Sequence, residues 1–349
     1  MSIDRLIDIA RERRVSDIHI TAARNPVFRI DGTMHETEFN MTIDQKKQLI
    51  YAMLNETQRA QFERGEDVDM CYTMSNGQRQ RVNVYRQQQY ITAAIRIINN
   101  EIRSFEELRL PEVLKQLAIE PRGLVLVTGP TGSGKSTSLA AMVDYVNRHR
   151  SCHILTIEDP VEYVYEQKKA YIHQRDIGVD VTSFSAALRS AMRQDPDVIL
   201  VGEMRDFETI SAAITAAETG HLVLSTLHTT GAAATVDRII DVFPPENQHQ
   251  IRTQLGNTIK GIVTQTLLPR AEGRGRVAAF EVMLGTDAVL NLIREGKGHQ
   301  LNSTIQMSAK QGMVLLDAYL ANLVRTGEVK VEDAREKAND RAAFMSLAK

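Results

Sequence analysis

The sequence predicts an α/β protein: a small α+β domain, then a larger and mostly parallel α/β sheet that ends in a helical region. Three observations carry this expectation. From Gly123 onward, buried apolar runs alternate with amphipathic stretches, as in strands and helices wound into a parallel sheet. Residues 1–98 instead mix helical stretches with short strands and turns. Between them, Asn99 to Ser104 is polar and aperiodic and reads as a linker. The 349-residue length leaves room for two substantial cores. The boundaries expected are 1–98, a linker at 99–118, and 119–349 with a helical part at 286–349.

In the first domain a helix is expected at roughly 2–14. Short strands follow at Asp17–Ile20 and Val27–Ile30, with Asp31-Gly32 as a hairpin turn signal. Residues 43–64 read as helical, with Thr42 as the N-cap. Asp67 to Thr73 and Arg79 to Ile98 return to strand, and 105–117 holds one or two short helices around Pro111.

Composition narrows the class. Hydrophobic residues make up 43% and charged residues 25%, the ordinary range of globular proteins. No apolar run approaches the ~18 residues of a membrane span. Met1 to Asp8 carries acids and alternates like an amphipathic helix, unlike a signal peptide. Two cysteines, Cys71 and Cys152, are too few for a zinc site and read as small half-buried thiols. Lys and Arg total 42 against 44 Asp and Glu, which gives no electrostatic footprint for nucleic acid.

The strongest motif is Gly129-Pro130-Thr131-Gly132-Ser133-Gly134-Lys135-Ser136, a complete P-loop. Its glycines let backbone N–H groups turn inward around phosphate oxygens, where a Cβ would intrude. Lys135 supplies a cation for the β- and γ-phosphates, and the Ser136 hydroxyl is placed for Mg²⁺. Gly123 to Thr128 reads as the preceding strand. Leu139, Met142, Val143 and Val146 mark the following helix, whose amino end favours an anion. A glycine-rich turn without a ligand is the plainer alternative.

Further polar groups fall at strand ends, where open α/β sheets bind ligands. Ile154–Ile157 leads to Glu158, Asp159 and Glu162, which can hold Mg²⁺ through water or orient an attacking water. Val198–Val201 leads to Gly202 and Glu203, a Walker-B candidate with Gly202 where many P-loop ATPases have Asp. Glu203 is then the natural residue to align water. A third buried run has His221 before it and His228 after it. His228 is positioned to sense a γ-phosphate or to hydrogen-bond a catalytic carboxylate, and His221 is less placeable. Solvated acids and ordinary histidines remain the competing readings.

Val82, Val84, Ala93, Ile95 and Ile97 alternate on two strands. With Arg86 to Tyr90 as the turn, Arg81 and Arg96 become cross-strand partners on the polar face. Like charges so opposed are unfavourable unless an anion relieves them. Phosphate on a neighbouring P-loop would do so, in the manner of arginine fingers across a subunit boundary. Two solvated arginines are the alternative.

Together these elements resemble the type IV pilus retraction ATPases, the PilT-like branch of the secretion-ATPase superfamily. The resemblance rests on Ser16 to Ile20, Gly129 to Thr137, the Asp box Ile157 to Glu162, Asp195 to Asp206, and the His box Thr219 to Thr229. Pilus-extension and type II secretion ATPases are similar but longer, and commonly carry a four-cysteine zinc insertion. Retraction ATPases carry an A-I-R-N-L-I-R-E segment. Ala288 to Glu295 matches it in register from Asn291, with Leu290 in place of arginine.

The resemblance implies a PAS-like N-terminal domain joined to a RecA-like ATPase domain, assembled as a homo-hexamer with ATP in the cleft between domains. It implies phosphate and Mg²⁺ binding by Gly129 to Thr137, with Asp159 in support and water-mediated metal contacts from Glu203 and Asp159. Glu203 and Glu162 become catalytic carboxylates, supported by Glu158. His228 reads nucleotide state, with His221 a second nucleotide-side candidate, and Arg81 and Arg96 close on phosphate. The ring would turn an inner-membrane pilus platform protein and so return pilin to the membrane. Such a chain would be cytoplasmic and only peripherally associated with the membrane. Two other readings stay open: an extension or secretion ATPase of the same superfamily, and a nucleic-acid translocase. Five per cent aromatics and no tryptophan give the latter no obvious stacking platform.

Overall fold

The computed structural model describes residues 1–30, 32–98, 101–273 and 275–348. Asp31 of the expected turn, and Asn99 and Asn100 of the expected linker, lie outside the described residues. The chain divides into two compact units. One comprises Met1–Glu101 and Pro160–Val164, the other Ile102–Asp159 and Tyr165–Lys349.

In the first unit, α1 (Ile3–Glu12) precedes β1 (Asp17–Ile20), β2 (Val27–Ile30) and β3 (Thr33–Glu36). Then come α2 (Ile43–Tyr51), α3 (Glu56–Glu63), β4 (Val68–Thr73), β5 (Arg79–Gln87) and β6 (Tyr90–Ile97). The strands form one antiparallel sheet in the order β3-β2-β1-β6-β5-β4. Ile18, Ile20, Val82, Val84, Ala93 and Ile95 are fully buried, packing in one core with Leu6, Ile7 and Ile50. This is the apolar face that the alternation predicts.

The expected continuous helix at 43–64 is two helices. Thr42 caps α2, as expected, with Gln45 closing a capping box. A second box, Asn55 with Gln58, caps α3 and breaks the run. That signal is local, and the apolar periodicity runs straight across it.

The second unit opens with α4 (Phe105–Leu108) and α5 (Val113–Ala118), where Leu114 and Ala118 are fully buried. There follow β7 (Gly123–Thr128), α6 (Lys135–His149), β8 (His153–Glu158), β9 (Tyr171–Asp176), α7 (Phe184–Ala191), β10 (Val198–Val201), α8 (Phe207–Glu218) and β11 (Leu222–Leu227). Next are α9 (Ala232–Asp241), α10 (Pro245–Thr258), β12 (Ile259–Pro269) and β13 (Arg276–Leu284). The chain ends in α11 (Asp287–Arg294), α12 (Leu301–Met307), α13 (Leu316–Arg325), α14 (Val331–Lys337) and α15 (Arg341–Leu347).

Seven strands form the order β13-β12-β7-β11-β10-β8-β9. All neighbours are parallel except the β12/β13 hairpin. Every residue of β7, β10 and β11 is buried, because helices cover both faces. The hairpin's alternation is weak in sequence, since β12 is also buried over most of its length. Among the described residues, no helix is long and apolar enough to cross a membrane.

A polar cluster ties α1 of the first unit to the end of β4. The Asp4 carboxylate accepts hydrogen bonds from the Tyr72 hydroxyl at 2.7 Å and from the Ser75 backbone and hydroxyl at 3.0 and 2.7 Å. Burial acts to raise the Asp4 pKa, but these three donors outweigh it and hold the carboxyl below its ordinary value. Burial and the same carboxylate push the Tyr72 hydroxyl up to about 12. A depressed carboxyl pKa stabilises the fold above the unfolded pKa, and that contribution is lost as pH falls through the folded one. Asp4→Ala should therefore destabilise the first unit by about 1 kcal/mol near neutrality, a modest value because the group is only half buried. The difference from wild type should shrink below pH 4, as read by urea unfolding at several pH values. A constant difference from pH 7 to pH 3 would remove the carboxylate from the account.

Candidate functional site

The site grows out of strand register. Thr128 pairs with Leu227, Val201 with Ser225, and Val201 with Ile157. Parallel strands in this register end together, so Gly129, His228, Gly202 and Glu158 all emerge at one edge of the sheet. No single stretch of sequence contains this set.

At that edge β7 turns into α6 through the P-loop. Gly134 is the N-cap of α6 at φ +89°, and no side chain caps the helix. Its first N–H groups therefore lack an intrahelical partner and face the loop, a site suited to phosphate. Lys135 is 8% exposed, and its Nζ donates to the carbonyls of Gly129 at 2.8 Å and Pro130 at 3.0 Å. These bonds fold the ammonium back over the loop. Ser133 Oγ is buried without a hydrogen-bond partner, whereas Thr131 and Ser136 are exposed and Thr137 half-buried. An orphaned hydroxyl, an uncapped helix and an enclosed cation suit a polyphosphate. Among the described residues, no group of three or more His, Cys, Asp or Glu could hold a metal ion by itself. Mg²⁺ bound through Ser136, water and phosphate oxygens needs no such cage.

The loop rests on β12, which the sequence reading did not single out. A Cβ on Gly129 (φ +137°) would lie 2.2 Å from the Gln265 carbonyl oxygen. A Cβ on Gly134 would lie 2.8 Å from Gln265 Nε2. Gln265 Oε1 accepts from the Ser138 hydroxyl at 2.7 Å, and the Thr128 and Thr264 hydroxyls bond at 2.9 Å. The available signal was Thr264-Gln265-Thr266, three polar residues inside an apolar strand. Thr264 and Gln265 pair with Thr128 and Ser138, which flank the glycine-rich loop on either side.

Glu203 follows β10 in a turn held on both sides. Gly202 N donates to the Ile157 carbonyl at 2.8 Å, Thr226 Oγ1 to the Gly202 carbonyl at 2.7 Å, and Met204 N to the Thr226 carbonyl at 3.1 Å. A Cβ on Gly202 would stand 3.4 Å from both the Glu158 Cα and the Ile157 carbonyl oxygen. Those are ordinary van der Waals distances, so nothing steric in the structure explains the glycine at this position. Glu203 Oε2 lies 2.8 Å from Arg205 Nη2 and 3.5 Å from His228 Nε2. The structure therefore brings together Glu203 and His228, candidates from separate motifs, and adds Arg205. Asp206, in the same motif as Glu203, is the N-cap of α8 and bonds Thr209 N at 2.9 Å, a structural role.

Glu158 is buried at the end of β8, where Gln174 Nε2 donates to it at 3.4 Å, and Asp159 is exposed just beyond. Glu162 lies in Pro160–Val164, the segment that belongs to the first unit. Arg81 and Arg96 belong there too, and pair in register between β5 and β6 as expected. The anions that relieve the two arginines are side chains of this chain: Asp69 lies 2.8 Å from Arg81 and Asp17 lies 3.0 Å from Arg96. Asp69 and Asp17 reach them across β4/β5 and β1/β6, pairings invisible to a local reading.

His221 is not brought to this edge. It precedes β11, and its Nδ1 bonds the Ala216 carbonyl at 2.9 Å. Six strand residues separate it from His228, roughly 20 Å at ~3.3 Å per residue. Contact with phosphates on its own subunit's P-loop does not follow from that position.

Comparison with known proteins gives a consistent picture. Residues 1–336 match the model of the type II/IV secretion system proteins. The type IV pilus retraction ATPase PilT of Pseudomonas aeruginosa is 48% identical over 341 residues, covering 97% of this chain and 98% of that protein. A twitching motility protein of Neisseria gonorrhoeae is 46% identical over 316 residues, covering 90% of this chain and 84% of that one. The crystal structure of the pilus retraction motor PilT with bound ADP is 43% identical, with a TM-score of 0.92 over 99% of both chains. The expected fold, a PAS-like N-terminal domain followed by a RecA-like domain, agrees with that structural match.

The contact of Gly129 with β12 generates a test. Gly129→Ala should weaken binding of a fluorescent ADP analogue at least about tenfold and lower the unfolding midpoint. Strain at positive φ and overlap with the Gln265 carbonyl act together there. Wild-type affinity in that variant would contradict the close approach.

Proposed function

We propose that this chain, which belongs to the type II/IV secretion system protein family, is a P-loop ATPase that converts ATP hydrolysis into retraction of a type IV pilus. The observation that carries the chemistry is the pairing of Glu203 with His228 at the sheet edge from which the uncapped P-loop helix starts. The mechanical assignment is supported by relatives that match the chain nearly end to end and are a retraction ATPase and a twitching motility protein.

The roles follow from chemistry. Backbone N–H groups from Thr131 to Thr137 hold the phosphates, with Gly129, Pro130, Gly132 and Ser133 shaping the loop. Lys135 exchanges its two carbonyl partners for β- and γ-phosphate oxygens, and Ser136 faces the metal. Mg²⁺, when bound, neutralises charge developing on the phosphates, with Asp159 and Glu203 reaching it through water. Glu203 orients and deprotonates the attacking water, and His228 holds its carboxylate and registers the γ-phosphate. Glu158 and Glu162 are the supporting carboxylates. Arg81 and Arg96 exchange Asp69 and Asp17 for phosphate on a neighbouring copy, which makes a homo-hexameric ring the working form. Opening and closing of the nucleotide site exports the work, through differential nucleotide contacts. The partner is an inner-membrane pilus platform protein, the cargo is pilin, and the chain works in the cytoplasm at the membrane's inner face.

Glu203→Gln should keep ADP binding within about threefold and lower kcat by about 10²-fold or more, as expected for loss of a general base. Turnover near wild type would remove Glu203 from the mechanism. Deletion of the gene should leave cells with abundant pili that do not retract and with no surface twitching. Bald cells would instead indicate an extension motor.

A further inference from the structure

Glu281 is a buried carboxylate that hydrolysis does not use. It sits on β13 with 2% of its surface exposed. Oε1 accepts from Ala232 N at 2.8 Å and Oε2 from Leu316 N at 3.2 Å. Ala232 is the first residue of α9 and Leu316 the first of α13, and neither helix has a side-chain cap of its own. One carboxylate thus caps two helices, and both helix dipoles favour its charge. Burial nonetheless pushes this carboxyl above its ordinary range, so the charged form depends on the two N–H donors.

The two helices belong to different parts of the second unit. α9 begins four residues after His228, whereas α13 lies in the C-terminal helical region and packs in a separate core with Leu268, Val277 and Phe344. β13 is also pinned to the chain just before α13 by paired bonds between Val282 and Val314, at 2.8 and 3.1 Å. On the other side, Gly231 N donates to Thr264 Oγ1 at 3.2 Å, and Thr264 bonds Thr128 at the base of the P-loop. Thr235 Oγ1 binds the Gly231 carbonyl at 2.8 Å and Thr229 Oγ1 at 2.7 Å, which stiffens the turn between His228 and α9. A continuous hydrogen-bonded path therefore runs from Thr128 through Thr264, Gly231 and Ala232 to Glu281 and Leu316.

We propose that Glu281 is a positioning residue that couples the nucleotide-sensing turn after His228 to the C-terminal helices, so that a shift of the α9 amino end is passed to the α13 amino end. A carboxylate does this better than two separate caps because its oxygens are rigidly joined: displacement of one helix end drags or breaks the bond to the other. The inference rests on the nucleotide reading of the P-loop and extends it to an output element.

The test measures hydrogen–deuterium exchange in the first turn of α13, with and without Mg-ADP, in the full-length chain, beside steady-state ATPase. ADP should change exchange in this turn at least about fivefold in wild type, the scale of ordinary site-to-site coupling. In Glu281→Gln that change should vanish while ADP affinity stays within about threefold, and kcat should fall about tenfold with KM unchanged. Thr264→Val, which removes the hydroxyl between Thr128 and Gly231 and keeps the volume, should uncouple α13 in the same way from the adjacent strand, where Thr264 pairs in register with Glu281. A wild-type α13 indifferent to ADP, or either variant retaining the full ADP response, overturns the proposal. A wild type that binds ADP and alters α13 but does not hydrolyse ATP supports the coupling while refuting the ATPase reading.

Discussion

The parallel register of β7, β11, β10 and β8 is the constraint on which the rest of the second unit depends. Buried on both faces, these strands cannot slip without exposing apolar side chains or losing ladder hydrogen bonds. Their carboxyl ends consequently fall within two residues of one another in register, and whatever follows each strand is delivered to the same edge. An uncapped helix start, a general-base candidate and its histidine partner then need only short turns to meet. The helix covering each face fixes the direction in which the next strand enters, so the chemistry inherits its precision from the core.

Close packing against that edge explains residue choices that look permissive in sequence. Gly129 and Gly134 are required as much by the backbone and amide of Gln265 as by any phosphate. Met204 N and the Gly202 carbonyl are both satisfied by Thr226, so the turn that presents Glu203 is held by polar pairs as well as by burial of Met204 in the core. Buried polar pairs of this kind specify geometry, because breaking one strands its partner without water.

The first unit shows the same economy with charge. Arg81 and Arg96 face each other across a sheet and stay compatible with folding because Asp69 and Asp17 lie alongside. Both arginine side chains are exposed, which limits what either pair contributes to stability, while Asp17 is mostly buried.

Much was legible in the sequence for local reasons. The P-loop, the strand before it, the helix after it and the acids and histidine at strand ends are contiguous patterns whose spacing carries their chemistry. The alternation of Val82, Val84, Ala93 and Ile95 even set the Arg81–Arg96 register. What stayed hidden depends on distant neighbours or on cues that periodicity overrides. Asn55 divides a helix that hydrophobic pattern alone would continue, and β12/β13 is a buried hairpin without clean alternation. Gln265, Glu281, Asp17 and Asp69 are ordinary polar residues in sequence, and they acquire meaning only from strands paired up to 136 residues away, as Thr128 is with Thr264. By itself, then, the sequence determined which chemistry this chain carries, because a phosphate-binding loop is a local backbone conformation. Tertiary structure alone decided which side chains gather at one sheet edge and which lie away from it, His221 among the latter, because strand register sets distance in space independently of separation along the chain.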